Sequence, residues 1–269
     1  MPAQPRASLS AGLHSQPVGQ AVIDGSLKFD GSNTGVYLKR TPTVAGNRKR
    51  WTWSAWLKRY KFADDNTYHI LFSTRESNSN RHYISYNADV KDELFTYDHT
   101  NNNNKIAQTN AKYRDTGWYN VVVVYDTPNS DGGQRLKFFI NGVENDDWGS
   151  YQTNGQNFEG LINSVTEHRL GAEPNAPGYF YGSMSQVYFI DGEVLGPENF
   201  GYTDPLTNTW RPKQYTGDYN VAPQVGYMYS DFGYGDFNSS NPKENAFDGS
   251  TSTRAEPHDN DTVYFDFSH

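Results

Sequence analysis

The sequence predicts an all-β protein whose main part is a β-sandwich. Aromatic residues make up 15% of the chain, with 20 Tyr and 15 Phe, whereas Met occurs only 3 times. Sheets accept aromatic and β-branched side chains, while helical bundles depend on Leu, Ala, Glu and Lys. About ten short segments of alternating apolar and polar residues follow one another, separated by turns rich in Gly, Asn and Asp. That spacing is typical of a sandwich or a barrel.

The first segment, residues 1–25, is predicted to be an extended N-terminal arm that docks onto a partner. It holds three Pro and few large apolar side chains, so it cannot build a core of its own. An arm folded back onto its own domain is the alternative. The side chains expected to anchor the arm are Leu9, Leu13, Val18 and Val22.

Residues 26–200 are predicted to form the sandwich. Its first strand patterns are SLKFDG and GVYLKR, and a long aromatic strand, WTWSAWLKRY, follows from Trp51. Side chains alternate between the two faces of a strand, so Trp51 and Trp53 share one face and Trp56 lies on the other. Three short strand patterns come next, HILFST, HYISYNA and ELFTYD.

The second half of the sandwich is built around the run WYNVVVVYDT. An unbroken apolar run of this length is typical of a central strand covered on both faces, and we expect Trp118 at its start to be in the core. Asn141-Gly142 predicts a type I′ hairpin turn, because both residues accept positive φ. The strand patterns HRLGA and FYGSMSQVYFIDGEVL complete the set, and Pro197 predicts a short helical turn.

The remaining chain changes character after residue 200. Tyr, Gly, Pro and Asp dominate residues 201–236, which we interpret as an irregular linker or strap. Residues 237–269 are predicted to begin a second β-module, and their last strand pattern is TVYFDFSH. Because a strand needs a pairing partner, we expect this one to pair with earlier segments or with chain beyond His269.

Charge and composition exclude several classes of protein. The net charge of −8 argues against a nucleic-acid partner, which usually requires a basic face. The absence of Cys excludes disulfides and thiolate metal sites. No apolar run approaches the ~20 residues of a membrane span, and the N-terminal residues lack the apolar core of a signal peptide. If the protein acts outside a cell, we expect it to arrive there on a particle.

The segments GWYNVVVVYD, LKFFINGVE, HRLGA and YFYGSMSQVYFIDGEVLGPENFG lie within Gly117–Gly201. Their order resembles the laminin-G/pentraxin branch of the concanavalin A-like superfamily. Together with WTWSAWLKR at Trp51–Arg59, the chain resembles more narrowly the domains in fibre and tail proteins of tailed bacteriophages. The resemblance covers roughly Ser26–Gly201 and implies a concanavalin A-like jelly-roll sandwich.

A second resemblance concerns the stretch NPKENAFDGSTSTRAEP, Asn241–Pro257. It is similar to the opening of discoidin-like (galactose-binding-like) domains. Only that opening is present, which implies a partial second module whose remainder would lie beyond His269.

The resemblance implies a virion structural protein of the phage tail, a tail-fibre or similar appendage subunit that contributes to host-surface attachment by binding. Its arm would bind other virion tail or portal-region proteins, its subunits would form a homo-oligomer, typically a trimer, and a host-surface glycan would be a further partner. A head fibre or capsid decoration protein, a bacterial extracellular carbohydrate-binding module and a glycan hydrolase or lyase are the alternatives.

We expect no catalytic residue, metal or cofactor. Glucan hydrolases of this superfamily place their acids with two-residue alternation on one strand, and the nearest run here, Glu144, Asp146 and Asp147, lacks the second Glu. Lectin-like relatives hold calcium through clustered oxygens. The acidic and amide residues that could converge here are better explained as turn-capping residues, and they are Asp64, Asp65, Asn66, Asp89, Asp98 and Asp126.

Aromatic side chains in loops are the candidates for contact with a ligand. Exposed rings stack on the apolar face of a pyranose, and they also serve protein–protein contacts. Two loop sequences, NDDWGSYQ and PGYFYG, carry such residues. The predicted glycan or protein contacts are Trp148, Tyr151, Tyr179 and Tyr181.

Overall fold

The computed structural model describes residues 25–31, 36–62, 67–88, 91–101 and 103–217. The predicted anchoring residues Leu9, Leu13, Val18 and Val22 lie outside the described residues. So do the part of the strap beyond residue 217, the second β-module, and Asp64, Asp65, Asn66 and Asp89 among the acidic turn residues.

The described chain is an all-β jelly-roll sandwich, which confirms the predicted fold class. A three-residue 3-10 turn at Gly132–Gln134 and another at Pro197–Asn199 are its helical segments, and the second has Pro197 at its start as predicted. The strands are β1 (Leu27–Phe29), β2 (Leu38–Arg40), β3 (Arg50–Arg59), β4 (His69–Ser77), β5 (Asn80–Tyr86), β6 (Glu93–Thr100), β7 (Asn103–Lys112), β8 (Tyr119–Asp126), β9 (Leu136–Ile140), β10 (Val143–Glu144), β11 (Trp148–Tyr151), β12 (His168–Leu170), β13 (Gly182–Asp191), β14 (Gly201–Thr203) and β15 (Trp210–Pro212).

Two antiparallel sheets face each other across the core. The six-stranded sheet has the order β1-β13-β3-β8-β9-β10, and the seven-stranded sheet has the order β11-β7-β6-β5-β4-β12-β2. The strands β3, β8 and β13 are central, and every residue of β8 is buried, as the unbroken apolar run predicted. Consecutive strands such as β4, β5, β6 and β7 pair as a meander, which places their side chains in fixed register on one sheet.

The main core lies between the sheets and is rich in aromatic rings. Trp51 stacks on Tyr125 with ring centroids 5.0 Å apart, and Trp53 stacks on Phe72 at 6.4 Å. Both Trp side chains belong to this core, whereas Trp56 points to the outer face of the six-stranded sheet, as the alternation predicted. Trp118 is not a core residue: it precedes β8, is half-buried, and Tyr119 occupies the core position.

A short hairpin covers part of the outer face of the six-stranded sheet. The described portion of the predicted strap, residues 201–217, contains β14 paired with β15 and is therefore regular rather than irregular there. Phe200 and Tyr215 bury a second cluster on the sheet, with ring centroids 5.5 Å apart. Trp210 lies against the Asn141-Gly142 turn, where a Cβ on Gly142 would come within 2.6 Å of the indole ring. Asn141 and Gly142 have φ of 49° and 81°, as the predicted turn requires.

Within the described residues, no helix has the length and apolar character that crossing a membrane would demand.

Candidate functional site

The outer face of the seven-stranded sheet carries a cationic row beside an aromatic row. The pairing places Arg75 of β4 opposite Arg81 of β5, and Arg81 opposite His99 of β6. Two residues further along the same strands, Tyr83 lies opposite Tyr97. Alternate side chains of a strand share a face, and the intervening residues of these strands point into the sandwich. The sheet register therefore gathers on one surface residues that lie far apart in sequence.

The aromatic row is a continuous set of ring contacts. Tyr83 stacks on Tyr97 with centroids 5.2 Å apart and meets Phe95 edge to face at 5.7 Å. Tyr68, which precedes β4, lies 5.4 Å from Phe95 and 6.0 Å from Tyr83. Tyr83 and Phe95 are buried at the base of the cluster, while Tyr68 is 36% exposed and Tyr97 is half-buried. The face thus offers ring surface at Tyr68 and Tyr97, supported from below.

Arg81 joins the cationic row to the aromatic row. Its guanidinium carbon lies 5.0 Å from the centroid of the Tyr97 ring and 6.0 Å from that of Tyr83, a cation–π arrangement. The Arg81 side chain is partly exposed, and its Nε atom is buried without a hydrogen-bond partner. The guanidinium is therefore held in place by the rings while its hydrogen-bonding capacity is incompletely used.

A buried carboxylate, Glu173, completes the cluster. Its Oε1 accepts a hydrogen bond from Arg75 Nη1 at 3.1 Å and lies 3.7 Å from Arg81 Nη1. Burial raises the pKa of Glu173, and the two arginines act in the opposite direction. The preceding residue is fixed to the sheet, because Ser73 Oγ donates to the Ala172 carbonyl at 2.6 Å. Glu173 is thus delivered by the segment after β12 to a defined place on the face.

We call this cluster the outer-face strip. Its rings, cations and carboxylate lie on or against β4, β5 and β6, and its members are Tyr68, Arg75, Arg81, Tyr83, Phe95, Tyr97 and Glu173.

The residues predicted as contacts lie elsewhere in the molecule. Trp148 and Tyr151 are not loop residues: they form the ends of β11, which pairs with β7 at the edge of the sheet. Their rings lie 4.7 Å apart, and the Trp148 ring is 5.1 Å from Phe138 of the core. The Tyr151 hydroxyl donates to the carbonyls of Gly133 and Leu136 at 2.9 and 2.8 Å. Much of each side chain is therefore occupied by packing within the sandwich.

Tyr179 and Tyr181 lie between β12 and β13, away from β11. Tyr179 forms an isolated bridge with Ala172 and is half-buried. The Tyr181 ring meets Tyr60 edge to face at 6.2 Å, and Tyr60 is 43% exposed. Among the four predicted residues, the structure therefore brings together Trp148 and Tyr151 on β11, while Tyr181 lies against Tyr60 and Tyr179 against Ala172.

Three of the acidic residues considered in the sequence are engaged by neighbouring side chains in the described part of the chain. Glu144 on β10 is paired with Lys137 at 3.2 Å, and Asp147 accepts from Asn110 at 2.6 Å. Asp126 is paired with Arg50 at 2.7 Å. Among the described residues, no three His, Asp or Glu side chains are arranged to hold a metal ion.

Asp98 lines a small polar cavity between the two sheets. Its carboxylate accepts hydrogen bonds from Thr100, Tyr125 and Asn154, and His82 lies 3.5 Å away. The cavity has a volume of about 10 Å³, which matches a single water molecule and is far too small for a sugar. This interior network is therefore part of the core rather than a ligand site.

Sequence reasoning missed the outer-face strip because its residues carry no local motif. The relevant signal is the alternation within NRHYISY and ELFTYD, which places Arg81 and Tyr83 on one face and Phe95 and Tyr97 on one face. Which strands pair, and in which register, decides whether these two sets meet. Glu173 lies in the segment after β12 and belongs to no strand pattern.

Residues 30–198, more than half of the chain, match the family model Laminin_G_3, described as concanavalin A-like lectin/glucanases superfamily. No curated protein sequence matches the chain.

Several solved structures are similar in fold. The heptameric SAP-like pentraxin of Limulus polyphemus has a TM-score of 0.46 and 18% identity, over 63% of this chain and 77% of the pentraxin. The enzymatically active domain of tailspike protein 2 of bacteriophage CBA120 has a TM-score of 0.44 and 12% identity, over 76% of this chain and 34% of that one. The IT-sialidase CBM40 of Ruminococcus gnavus has a TM-score of 0.42 and 14% identity, over 65% and 93%.

These structural likenesses are distant, and they carry no inference about the activity of this chain. The sequence match is extensive, and the two-sheet architecture has the same class of fold. The chain belongs to the Laminin_G_3 family of the concanavalin A-like lectin/glucanase superfamily.

Proposed function

We propose that this chain is a glycan-binding protein without catalytic activity that serves as a tail-fibre or similar appendage subunit of a tailed phage. The observation that carries the binding function is the outer-face strip, where exposed ring surface, a partly exposed guanidinium and a fixed carboxylate adjoin one another. The lectin-like fold supplies the rigid sheet on which these groups are held.

The chemistry of the strip suits a sugar. Tyr68 and Tyr97 present apolar ring faces bordered by hydroxyl groups, which match the apolar face and the hydroxyl rim of a pyranose. The Arg81 side chain is partly exposed, and sugar hydroxyls accept hydrogen bonds from the N–H groups of a guanidinium. A few placed polar groups beside rings are the usual composition of a small-molecule site.

Binding without hydrolysis is supported by the composition of the strip. Most glycoside hydrolases use a pair of carboxyl groups that flank the scissile bond. Among the described residues of the strip, Glu173 is the one carboxylate, and it is engaged by Arg75 and Arg81. A carboxylate held by two arginines orients those arginines. The described residues of the strip supply no second carboxyl group to complete a catalytic pair.

The appendage role rests on the resemblance of Trp51–Arg59 and Gly117–Gly201 to domains of phage fibre and tail proteins. In this proposal the arm, residues 1–25, anchors the subunit to other tail or portal-region proteins of the virion. Subunits assemble as a homotrimer, and several weak sites then act together on one host surface.

A glycan array tests the binding function. We expect the wild-type chain to bind a subset of glycans and Tyr97→Ala to lose at least about tenfold in affinity, the equivalent of ~1.4 kcal/mol. Tyr202→Ala is the matched control, because Tyr202 is a half-buried tyrosine on β14, against the other sheet. Absence of binding to any glycan, or equal losses in both variants, would contradict the proposal, provided circular dichroism shows both variants to be folded.

A further inference from the structure

The outer face of the seven-stranded sheet is positively charged within an acidic protein. Beside the strip, Arg169 of β12 lies opposite Lys39 of β2 on this face, and Glu167 pairs with both at 2.6 and 3.8 Å. Together with Arg75, Arg81, Glu173 and Glu93, this gives four cations against three carboxylates. The whole chain has a net charge of −8. The charge of this group is therefore opposite in sign to the net charge of the whole chain.

The arginines of the strip are placed where they repel each other. Arg75 and Arg81 are cross-strand partners, and like charges directly opposite one another destabilise a sheet. Glu173 offsets this repulsion with one carboxylate shared between two guanidinium groups. Another acid of this face, Glu93, lies at the far end of β6, where it accepts from Gln108 at 2.9 Å. One positive charge at the Arg75–Arg81 pair is left without a neutralising partner in the strip.

An anion bound here would remove that imbalance. A carboxylate suits the site because the planar guanidinium fork matches its two oxygens, and charge-assisted hydrogen bonds of this kind are about twice as strong as neutral ones. Arg81 also lies against the Tyr97 ring at 5.0 Å, so a sugar ring on Tyr97 would place its substituents next to the guanidinium. The cation and the ring surface are thus spaced for one acidic sugar residue.

We infer that the outer-face strip selects saccharides that carry a carboxylate, with Arg81 binding the acid group and Tyr97 the sugar ring, while Arg75 adds positive charge beside Arg81. This inference rests on the proposed glycan-binding function and narrows it to acidic glycans.

The test is a set of matched oligosaccharide pairs that differ only in one carboxylate, uronic acid against hexose and sialylated against unsialylated, with sulfated members as a separate arm. We expect the acidic member of a pair to bind at least about tenfold more tightly, and the difference to shrink as salt is raised from about 0.05 to 0.5 M. Arg81→Gln should abolish the preference, whereas the matched control Arg211→Gln, on the hairpin against the other sheet, should retain it.

Glu173→Gln gives an effect in the opposite direction that misfolding could not mimic. It removes the competing carboxylate, so the ratio of the affinity for the acidic member to that for the neutral member should rise above the wild-type ratio. Equal binding of acidic and neutral members would overturn this inference and leave the glycan-binding function intact. Preference for sulfated over carboxylated members would overturn the assignment of the carboxylate. Binding of no member would overturn both the inference and the proposed function.

Discussion

Gly171 illustrates how a single residue positions the strip. It follows β12, two residues before Glu173, and its φ of +79° is in the left-handed region that favours glycine. Its amide donates to the Leu71 carbonyl at 3.0 Å, and its carbonyl accepts from Phe180 at 2.8 Å. A Cβ at this position would lie 2.2 Å from Cδ1 of Phe29, a core side chain. The segment that carries Glu173 therefore depends on the absence of a side chain here.

We expect Gly171→Ala to lower the free energy of unfolding by about 2–4 kcal/mol, combining left-handed backbone strain with overpacking of the core. Chemical denaturation measures this loss. Gly155→Ala is the control, because nothing lies within 4 Å of its added Cβ, and we expect a change below about 1 kcal/mol. Equal effects of the two substitutions would contradict this account of Gly171.

His168 makes stability depend on pH. Burial lowers the pKa of its imidazole to about 4, and its ring is bonded to the Asn163 amide at 2.9 Å and to the Thr166 carbonyl at 2.8 Å. In the unfolded chain the His168 imidazole has its ordinary pKa near 6.5. Between pH ~6.5 and 4 it therefore binds a proton in the unfolded chain but not in the folded one. Stability is therefore complete above pH ~6.5 and falls as the pH drops towards 4, by up to about 3 kcal/mol from this residue. An NMR titration should find His168 neutral at pH 5, and protonation near pH 6.5 would refute the prediction.

At the scale of elements, the sequence predicted the strands with strong local signals. The predictions of a buried strand from the apolar run of β8 and of a turn at Asn141-Gly142 were correct, because both depend on neighbouring residues alone. The hairpin of β14 and β15 was interpreted as irregular because its packing partners are distant in sequence. Trp210, for example, donates to Asn120 at 3.3 Å, 90 residues away, and contacts Gly142. The outer-face strip was missed for the same reason, since it depends on the register of β4, β5 and β6.

The packing of the hairpin yields a prediction about Phe200. This residue is buried on the outer face of the six-stranded sheet against Tyr188, 5.7 Å between ring centroids, and Tyr215. Phe200→Ala should therefore cost about 3–5 kcal/mol, as in a main core. Leu206→Ala, at a site that is 87% exposed in the same hairpin, should change stability by less than about 0.5 kcal/mol. A loss below about 1 kcal/mol for Phe200→Ala would show that the hairpin does not belong to the folded unit.

At the scale of the whole molecule, anchoring and binding are assigned to separate parts of the chain. The sandwich has its own core, to which the described residues from Leu27 onward contribute. Anchoring is proposed for residues 1–25. Removing the arm should therefore leave glycan binding intact and abolish incorporation of the subunit into particles.

The effect of the deletion on incorporation is measured by the amount of subunit in purified particles. Its effect on binding is measured by the glycan array on the isolated protein. Incorporation at the wild-type level would show that another part of the chain anchors the subunit. Loss of both functions, with an unfolded spectrum, would show that the arm belongs to the folded domain.

The central claim, that the outer-face strip is the binding surface, is tested most directly by a crystal structure of the chain with the strongest glycan from the array. We predict sugar density against Tyr97 and Tyr68, with Arg81 within hydrogen-bond distance of the sugar. Density at Trp148 and Tyr151, or beside Tyr60 and Tyr181, with the strip free of sugar, would contradict the claim.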